Sequence, residues 1–284
     1  MTIACLNGEF LPLAEARVPV LDRGFLFGDG VYEVIPAYGG RPFLARAHIE
    51  RLKRSLRETR IADTLSADQW SSLLTDLMAH NGATDQFIYV QVTRGVQPQR
   101  NHKFTGAEKP TILALCQPLL PHPPDLGEKG VSCITHADIR WQRCDIKAIS
   151  LLANVLLGDQ ATRGGHNETL LIHDDMLSEG ASSNVFVYDG HQLITPPATE
   201  RILHGITRSL ILELAAECGI PTAEQDIPAA QLSTAAEVMI SSSTREVFPV
   251  TEIDAQPVAD GRPGTAWRRL YDAYQTRKQE VAGA

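Results

Sequence analysis

Three prolines, Pro121, Pro123 and Pro124, fall inside the short stretch Leu119 to Asp125. Proline fixes φ and donates no backbone N–H, so such a stretch is neither a helix interior nor a central strand. It reads as a stiff, extended linker. The 284 residues are therefore expected to form two domains, long enough together for a substantial core. A small N-terminal α/β domain would span residues 1–118, the linker 119–125, and a large C-terminal domain 126–284.

Hydrophobic residues make up 43% of the chain and charged residues 21%, as in a soluble globular protein. The net charge of -8 gives no general affinity for nucleic acid or an anionic membrane, so any phosphate site must be local. No apolar run approaches the roughly 20 residues of a membrane span, and the N-terminus carries no signal-peptide pattern. Cys5, Cys116, Cys133, Cys144 and Cys218 are scattered without C-x-x-C spacing. Reduced thiols in a cytoplasmic protein are expected, with no metal framework.

In the first half, Asn7-Gly8 marks a hairpin, and Leu21 to Gly30 reads as a glycine-punctuated loop. Val31 to Tyr38 is a strand, which puts Tyr32 and Val34 on one face. A helix from about Arg46 to Arg60 buries Ile49, Leu52 and Leu56, with His48, Arg51 and Ser55 on an adjoining face. Arg51 could meet an anion at the core edge or simply point to solvent. A second helix spans about Ala67 to Asn81, and strands follow at Phe87 to Thr93 and Thr111 to Cys116. Between those strands the loop from Arg94 to Phe104 carries Arg94, Arg100, Lys103 and His102 with no acidic partner nearby. It reads as an anion-facing loop or as a solvated hairpin tip.

In the second half, Val131 to Thr135 and Ile139 to Trp141 read as strands leading to Arg143-Cys144-Asp145-Ile146-Lys147. The apolar run Ala148 to Leu157 follows and opens a helix with Leu152, Val155 and Leu156 at helical spacing. Burial disfavours an ammonium group, so a lysine at the edge of a core is a nucleophilic amine suited to Schiff-base chemistry. The flanking Arg143 and Asp145 also permit a plain surface ion pair. Glu179 stands at a strand end among small residues. The helix opened by Leu203-His204-Gly205-Ile206-Thr207 offers free N–H groups, and Ser241 to Thr244 offers hydroxyls after a strand; both suit phosphate, and both also occur as ordinary caps and turns. A C-terminal helix from about Thr265 to Glu280 buries Trp267, Leu270, Tyr271 and Tyr274.

Taken in order, five motifs resemble the fold-type IV pyridoxal-phosphate enzymes, and within them the D-amino-acid aminotransferases. They are Asp22-Arg23-Gly24 with Phe27 to Glu33, His48 to Leu52, Arg143 to Lys147, Glu179-Gly180 with Ser182 to Phe186, and Gly205 to Arg208. The resemblance implies an α+β fold of two α/β domains with the cofactor, pyridoxal 5′-phosphate, between them. Lys147 and Glu179 would be catalytic: Lys147 would hold the cofactor as a Schiff base and shuttle a proton, and Glu179 would pair with the pyridine nitrogen. Arg51, Ile206, Thr207, Ser242 and Ser243 would hold the phosphate, and Leu203 would pack under the ring. On the substrate side the resemblance places Tyr32, Val34, His48 and Ser182, with Arg100 and His102 from a neighbouring subunit trapping the α-carboxylate. A homodimer is implied.

The implied reaction is a ping-pong transamination from D-alanine or a similar donor to 2-oxoglutarate, giving pyruvate and D-glutamate. Branched-chain L-aminotransferases, (R)-amine transaminases and aminodeoxychorismate lyases share the scaffold. A fold-type IV chain that has lost catalysis and only binds ligands is the non-enzymatic alternative. Ala148-Ile149-Ser150 departs from the serine, leucine and asparagine of a bacterial D-enzyme, which bears on side-chain preference.

Overall fold

Asn7 and Gly8 both adopt positive φ and fold β1 (Ile3–Leu6) onto β2 (Glu9–Pro12), as an Asn-Gly pair favours. The structure is a computed structural model that describes residues 2–82 and 85–283. Contacts divide the chain into two units. One gathers Met1–Leu120, Ile146–Leu151 and Lys278–Ala284; the other gathers Pro121–Asp145 and Leu152–Arg277.

The first unit continues with α1 (Arg23–Phe27), β3 (Gly30–Tyr38), β4 (Arg41–Pro42), α2 (Ala45–Thr59), α3 (Ala67–Asn81), β5 (Gln86–Thr93) and β6 (Thr111–Pro118). Its sheet is antiparallel, in the order β2-β1-β6-β5-β3-β4. The helix α1 lies where the sequence reads as loop. One and a half turns are too few to show periodicity; caps define it instead. Asp22 accepts the Gly24 N–H at 2.8 Å, and Gly28 closes the helix in the left-handed region. The helix α3 starts with a reciprocal Ser66–Gln69 capping box. Ile49, Leu52 and Leu56 of α2 and Trp70, Leu74 and Leu77 of α3 share one core with Ile35, Ile88 and Val90 of the sheet. Alternation along β3 sends Val31, Glu33 and Ile35 to buried positions, and leaves Tyr32 and Val34 half-buried on the opposite face.

The second unit contains α4 (Leu126–Lys129), β7 (Val131–Ala137), α5 (Leu152–Arg163), β8 (Glu168–His173), β9 (Met176–Gly180), β10 (Asn184–Tyr188), β11 (Leu193–Thr195), α6 (Ile206–Glu217), β12 (Thr222–Glu224), β13 (Ile227–Pro228), β14 (Glu237–Ser242), β15 (Glu246–Ile253), β16 (Gln256–Pro257) and the start of α7 (Thr265–Gly283). The mixed sheet runs β12-β11-β10-β14-β15-β7-β8-β9-β13, with β16 on β15. Central strands such as Val185–Val187 and Val238–Ile240 are buried on both faces, which explains their unbroken apolar runs. The acid Glu237 caps α7: its carboxylate accepts the N–H groups of Ala266 and Trp267, both at 2.8 Å.

Three details differ from the sequence reading. Ile139 to Trp141 is not a strand: Ile139 and Trp141 are exposed, and the intervening Arg140 is drawn inward by two carboxylates. In α5 the apolar set Leu152, Val155 and Leu156 is exposed, while Leu157 and Ala161 face the core. In α7, Tyr271 is half-buried and lies against Trp267 instead of entering the core fully.

Candidate active site

Lys147 is held from its backbone. Its C=O accepts the Tyr32 N–H at 2.9 Å, Ala148 pairs with Val31 in an antiparallel bridge, and the Ile149 N–H reaches Gly30 at 3.0 Å. The Lys147 segment thus extends the start of β3, and Nζ lies 4.3 Å from the Tyr32 ring centroid. An ammonium over an aromatic face is attracted by the ring quadrupole, which fixes where the amine sits. Lys147 is half-buried rather than enclosed.

The buried face of β3 meets α2 through Glu33. Its carboxylate takes Arg51 Nε at 2.7 Å and Nη2 at 2.8 Å, and lies 2.8 Å from His48 Nδ1. All three side chains are almost fully buried. Burial opposes the Glu33 charge, but Arg51 and His48 outweigh it and hold the carboxyl below its ordinary range. For His48 burial dominates over Glu33 and lowers its pKa, so the imidazole is neutral near pH 7. Arg51 is therefore no exposed helix arginine. The sequence did carry a signal for Glu33: an acid in the apolar phase of a strand requires a buried partner.

The basic loop differs from its expectation in one respect: it has acidic company. Arg94 is buried and forks onto Asp29 at 2.8 and 2.9 Å. Arg23 also bonds Asp29, at 2.7 Å, and donates to the carbonyls of Asn101 at 2.5 Å and His102 at 3.1 Å. Arg100 and His102 stay exposed, both against the Phe27 ring, at 5.0 and 5.2 Å. Arg23, Asp29 and Phe27 thus form a platform from which the Arg100 and His102 side chains are presented.

In the second unit Glu179 is 3% exposed. It accepts Arg140 Nη1 at 2.5 Å, Asn184 Nδ2 at 3.0 Å and the Leu203 N–H, which is shared between both oxygens at 3.1 Å. Arg140 is itself gripped by Asp138 at 2.8 Å. Burial pushes the Glu179 carboxyl up to about 7, against the pull of Arg140. A carboxylate offers about four acceptor sites, so three N–H donors leave room for one more. Asn184 joins this group to the rest: its carboxamide also donates to the Leu203 carbonyl at 2.9 Å, and Ser241 is its cross-strand partner. A Cβ on Gly205 would overlap the Asn184 carboxamide, so only glycine lets α6 start here. Gly205 gives α6 no side-chain cap, which leaves the first N–H groups, those of Ile206 and Thr207, for an anion. Ser241 Oγ is buried and has no partner among the described residues. Ser242 ends β14, paired with Glu246, and Ser243 opens the β14–β15 turn.

Ser182 is committed elsewhere. Its hydroxyl donates to Glu168 at 2.6 Å and accepts Arg245 Nη1 at 3.1 Å, so it has only acceptor capacity left for a ligand. Asn184 lies within the Ser182 to Phe186 motif but is given no role there; Asp138, Arg140 and Glu168 carry no periodic or motif signal for such roles, and Arg140 sits in a segment that reads as a strand. A cavity of about 750 Å³ next to Arg140 is lined by Asp138, Arg143, Asp145, Glu200 and His204.

The donor set fits the phosphorylated pyridine that the resemblance implies. Glu179 retains one site for a ring N–H, and an uncapped helix start and an orphaned buried hydroxyl lie around Asn184 for the phosphate.

Comparison with known proteins agrees. Residues 30–253 match the family model for amino-transferase class IV. A D-alanine aminotransferase of Staphylococcus epidermidis is 40% identical over 276 residues, 97% of this chain and 97% of that protein. One from Bacillus licheniformis is 40% identical over 269 residues, 95% of this chain and 94% of that protein. The branched-chain amino acid aminotransferase of Escherichia coli superposes with a TM-score of 0.88 at 27% identity, covering 96% of this chain and 93% of that one. With its lysine on the β3 edge and its buried, arginine-paired glutamate, the chain belongs to the class IV aminotransferases.

Proposed function

We propose that this chain is a pyridoxal-phosphate-dependent transaminase acting on D-amino acids. D-alanine and 2-oxoglutarate are the representative pair, with pyruvate and D-glutamate as products. The observation that carries the chemistry is Glu179, a buried carboxylate with an acceptor site to spare beside an uncapped helix start. Bound pyridoxal phosphate supplies an electron sink for the pair left when the substrate Cα loses its proton.

The chain's own residues do the rest. Glu179 would accept the ring N–H and keep the proton there; Arg140 and Asn184 hold its carboxylate in place. Lys147 is the amine that would hold the cofactor's aldehyde carbon, and its Nζ moves the substrate Cα proton. Tyr32 orients that amine. Ile206, Thr207, Ser242 and Ser243 would hold the phosphate, with Arg51 as a cation whose orientation Glu33 fixes. Leu203 would pack under the ring. Arg100 and His102 would take the substrate carboxylate in the neighbouring subunit of a homodimer, beside Tyr32, Val34 and Ser182; arginine suits that charge-assisted bond. His48 is turned to Glu33 on the opposite, buried face of β3 and would act only through that carboxylate. Five free cysteines support a cytoplasmic setting.

The D-donor is supported by the relatives named D-alanine aminotransferase, at 40% identity across nearly the whole chain. A branched-chain L-donor is the second reading, supported by the fold likeness at 27% identity. Paired D- and L-amino acids assayed with 2-oxoglutarate separate the two. Turnover of D-alanine with none of L-leucine is expected, and activity on L-leucine alone would defeat the D-reading. Lys147→Ala is expected to lose the near-visible absorbance of bound cofactor together with turnover; a variant that keeps both refutes the lysine's role.

A further inference from the structure

We propose that Glu168, which lies outside the cofactor and substrate sets assigned above, is a positioning residue that fixes the span between the ring-nitrogen end and the phosphate end of the cofactor seat. This rests on the reading just given. Glu168 opens β8 and is 2% exposed. Its Oε2 accepts Ser182 Oγ at 2.6 Å, Ser183 Oγ at 3.0 Å and Arg245 Nη1 at 2.5 Å; its Oε1 accepts the Thr169 N–H at 3.0 Å. These bonds tie together the strand β8, the loop that leaves β9 just past Glu179, and the end of β14 with its turn, which carry Ser242 and Ser243.

Arg245 closes the ring of contacts. Besides Glu168, its Nη1 reaches Ser182 at 3.1 Å, its Nη2 the Asn167 carbonyl at 3.3 Å, and its own N–H the Ser242 hydroxyl at 3.3 Å. A Cβ on Gly180 would strike Ser183 Oγ and the Glu168 side chain, so the loop lies tight on the carboxylate. Three donors converge on Oε2 and a fourth takes Oε1, and the carboxylate is 2% exposed. Glu168 therefore faces its neighbours instead of open solvent and acts through them. A buried ion pair is a poor device for stability, because desolvation offsets its attraction. Its directional bonds instead set register: the segment that supplies Glu179 and the segment that supplies the phosphate hydroxyls are bolted to one group.

The test is a titration of the full-length chain, stripped of cofactor, with pyridoxal phosphate and separately with pyridoxal, which lacks the phosphate. Wild type is expected to prefer the phosphorylated form. Glu168→Gln should weaken pyridoxal phosphate by about tenfold or more while pyridoxal changes by less than about twofold, the size expected for losing a charged hydrogen bond at one end only. Arg245→Ala, at a partly exposed turn, should give the same pattern, and it decides the matter if the first variant does not fold. Unchanged affinity for pyridoxal phosphate, or equal weakening of both ligands, overturns the inference and leaves the proposed function standing. A wild-type chain that binds the two ligands equally has no phosphate seat, and both fall.

Discussion

Glu179 and Glu33 are two buried carboxylates that respond to pH in opposite directions. Glu33 is held below its ordinary range by Arg51 and His48 against burial, so its contribution to stability is present near neutrality and lost in acid. Glu179 is raised from 4.5 to about 7, because burial outweighs Arg140. A raised acid favours the folded state most below its unfolded value, and that advantage disappears as pH climbs to the folded value. In the cofactor-free chain this loss should amount to about 3 kcal/mol between pH 4.5 and 7 and then level off. Melting temperatures of wild type and Glu179→Gln across pH 4 to 8 check this: the variant should gain on wild type up to about pH 7. A difference that stays flat contradicts the assignment. With a pyridinium partner the same carboxyl would be held charged, so one residue links proton state to occupancy.

At the scale of elements, α1 carries more than its five residues suggest. Asp22 caps it and also accepts the hydroxyls of Thr93 at 3.0 Å and Thr111 at 2.7 Å, binding the helix to β5 and β6. Asp22→Ala should cost about 2–4 kcal/mol from the lost cap and the two stranded hydroxyls. Urea unfolding measures it, and a loss below about 0.5 kcal/mol would mean that the cap is dispensable. This helix also shows why some elements were legible in the sequence and others were not. The helices α2 and α3 and the strands β3 and β5 announce themselves through apolar periodicity, because each buries one stripe or one face, and β14 does so through an unbroken apolar run buried on both faces. A helix of one and a half turns leaves no such trace. The false strand at Ile139 to Trp141 arose from apolar residues that remain exposed around a buried arginine, and α5 misleads in the same way. Of the candidate site, motifs mark Lys147, Glu179 and Gly205 in the sequence. The sequence is silent at Glu168 and Arg140, because Arg245 and Glu179, with which they pair, lie far along the chain and leave no local spacing.

At the scale of the whole molecule, the proposed sharing of Arg100 and His102 between subunits makes a prediction that no single chain can satisfy. Lys147→Ala and Arg100→Ala should each be nearly inactive alone. Mixed under conditions that allow subunit exchange, they should recover about a quarter of wild-type activity, since half the dimers are mixed and each has one intact site. An inactive mixture in which mixed dimers are demonstrably present would place Arg100 in its own subunit's site or outside any site. The platform that presents this loop, Arg23 on Asp29 with Phe27 beneath, belongs wholly to the first unit, so its rigidity does not depend on partner contacts.

The lysine arrives on a brief excursion: Ile146–Leu151 belongs to the first unit, while Asp145 before it and Leu152 after it belong to the second. Neither unit is therefore a contiguous stretch of gene. A chimaera that exchanges one whole unit with a relative needs crossovers after Leu120, Asp145, Leu151 and Arg277. Simple truncation or a lone recombination event divides a unit instead, so exchange between relatives that keeps both units whole takes several coordinated crossovers.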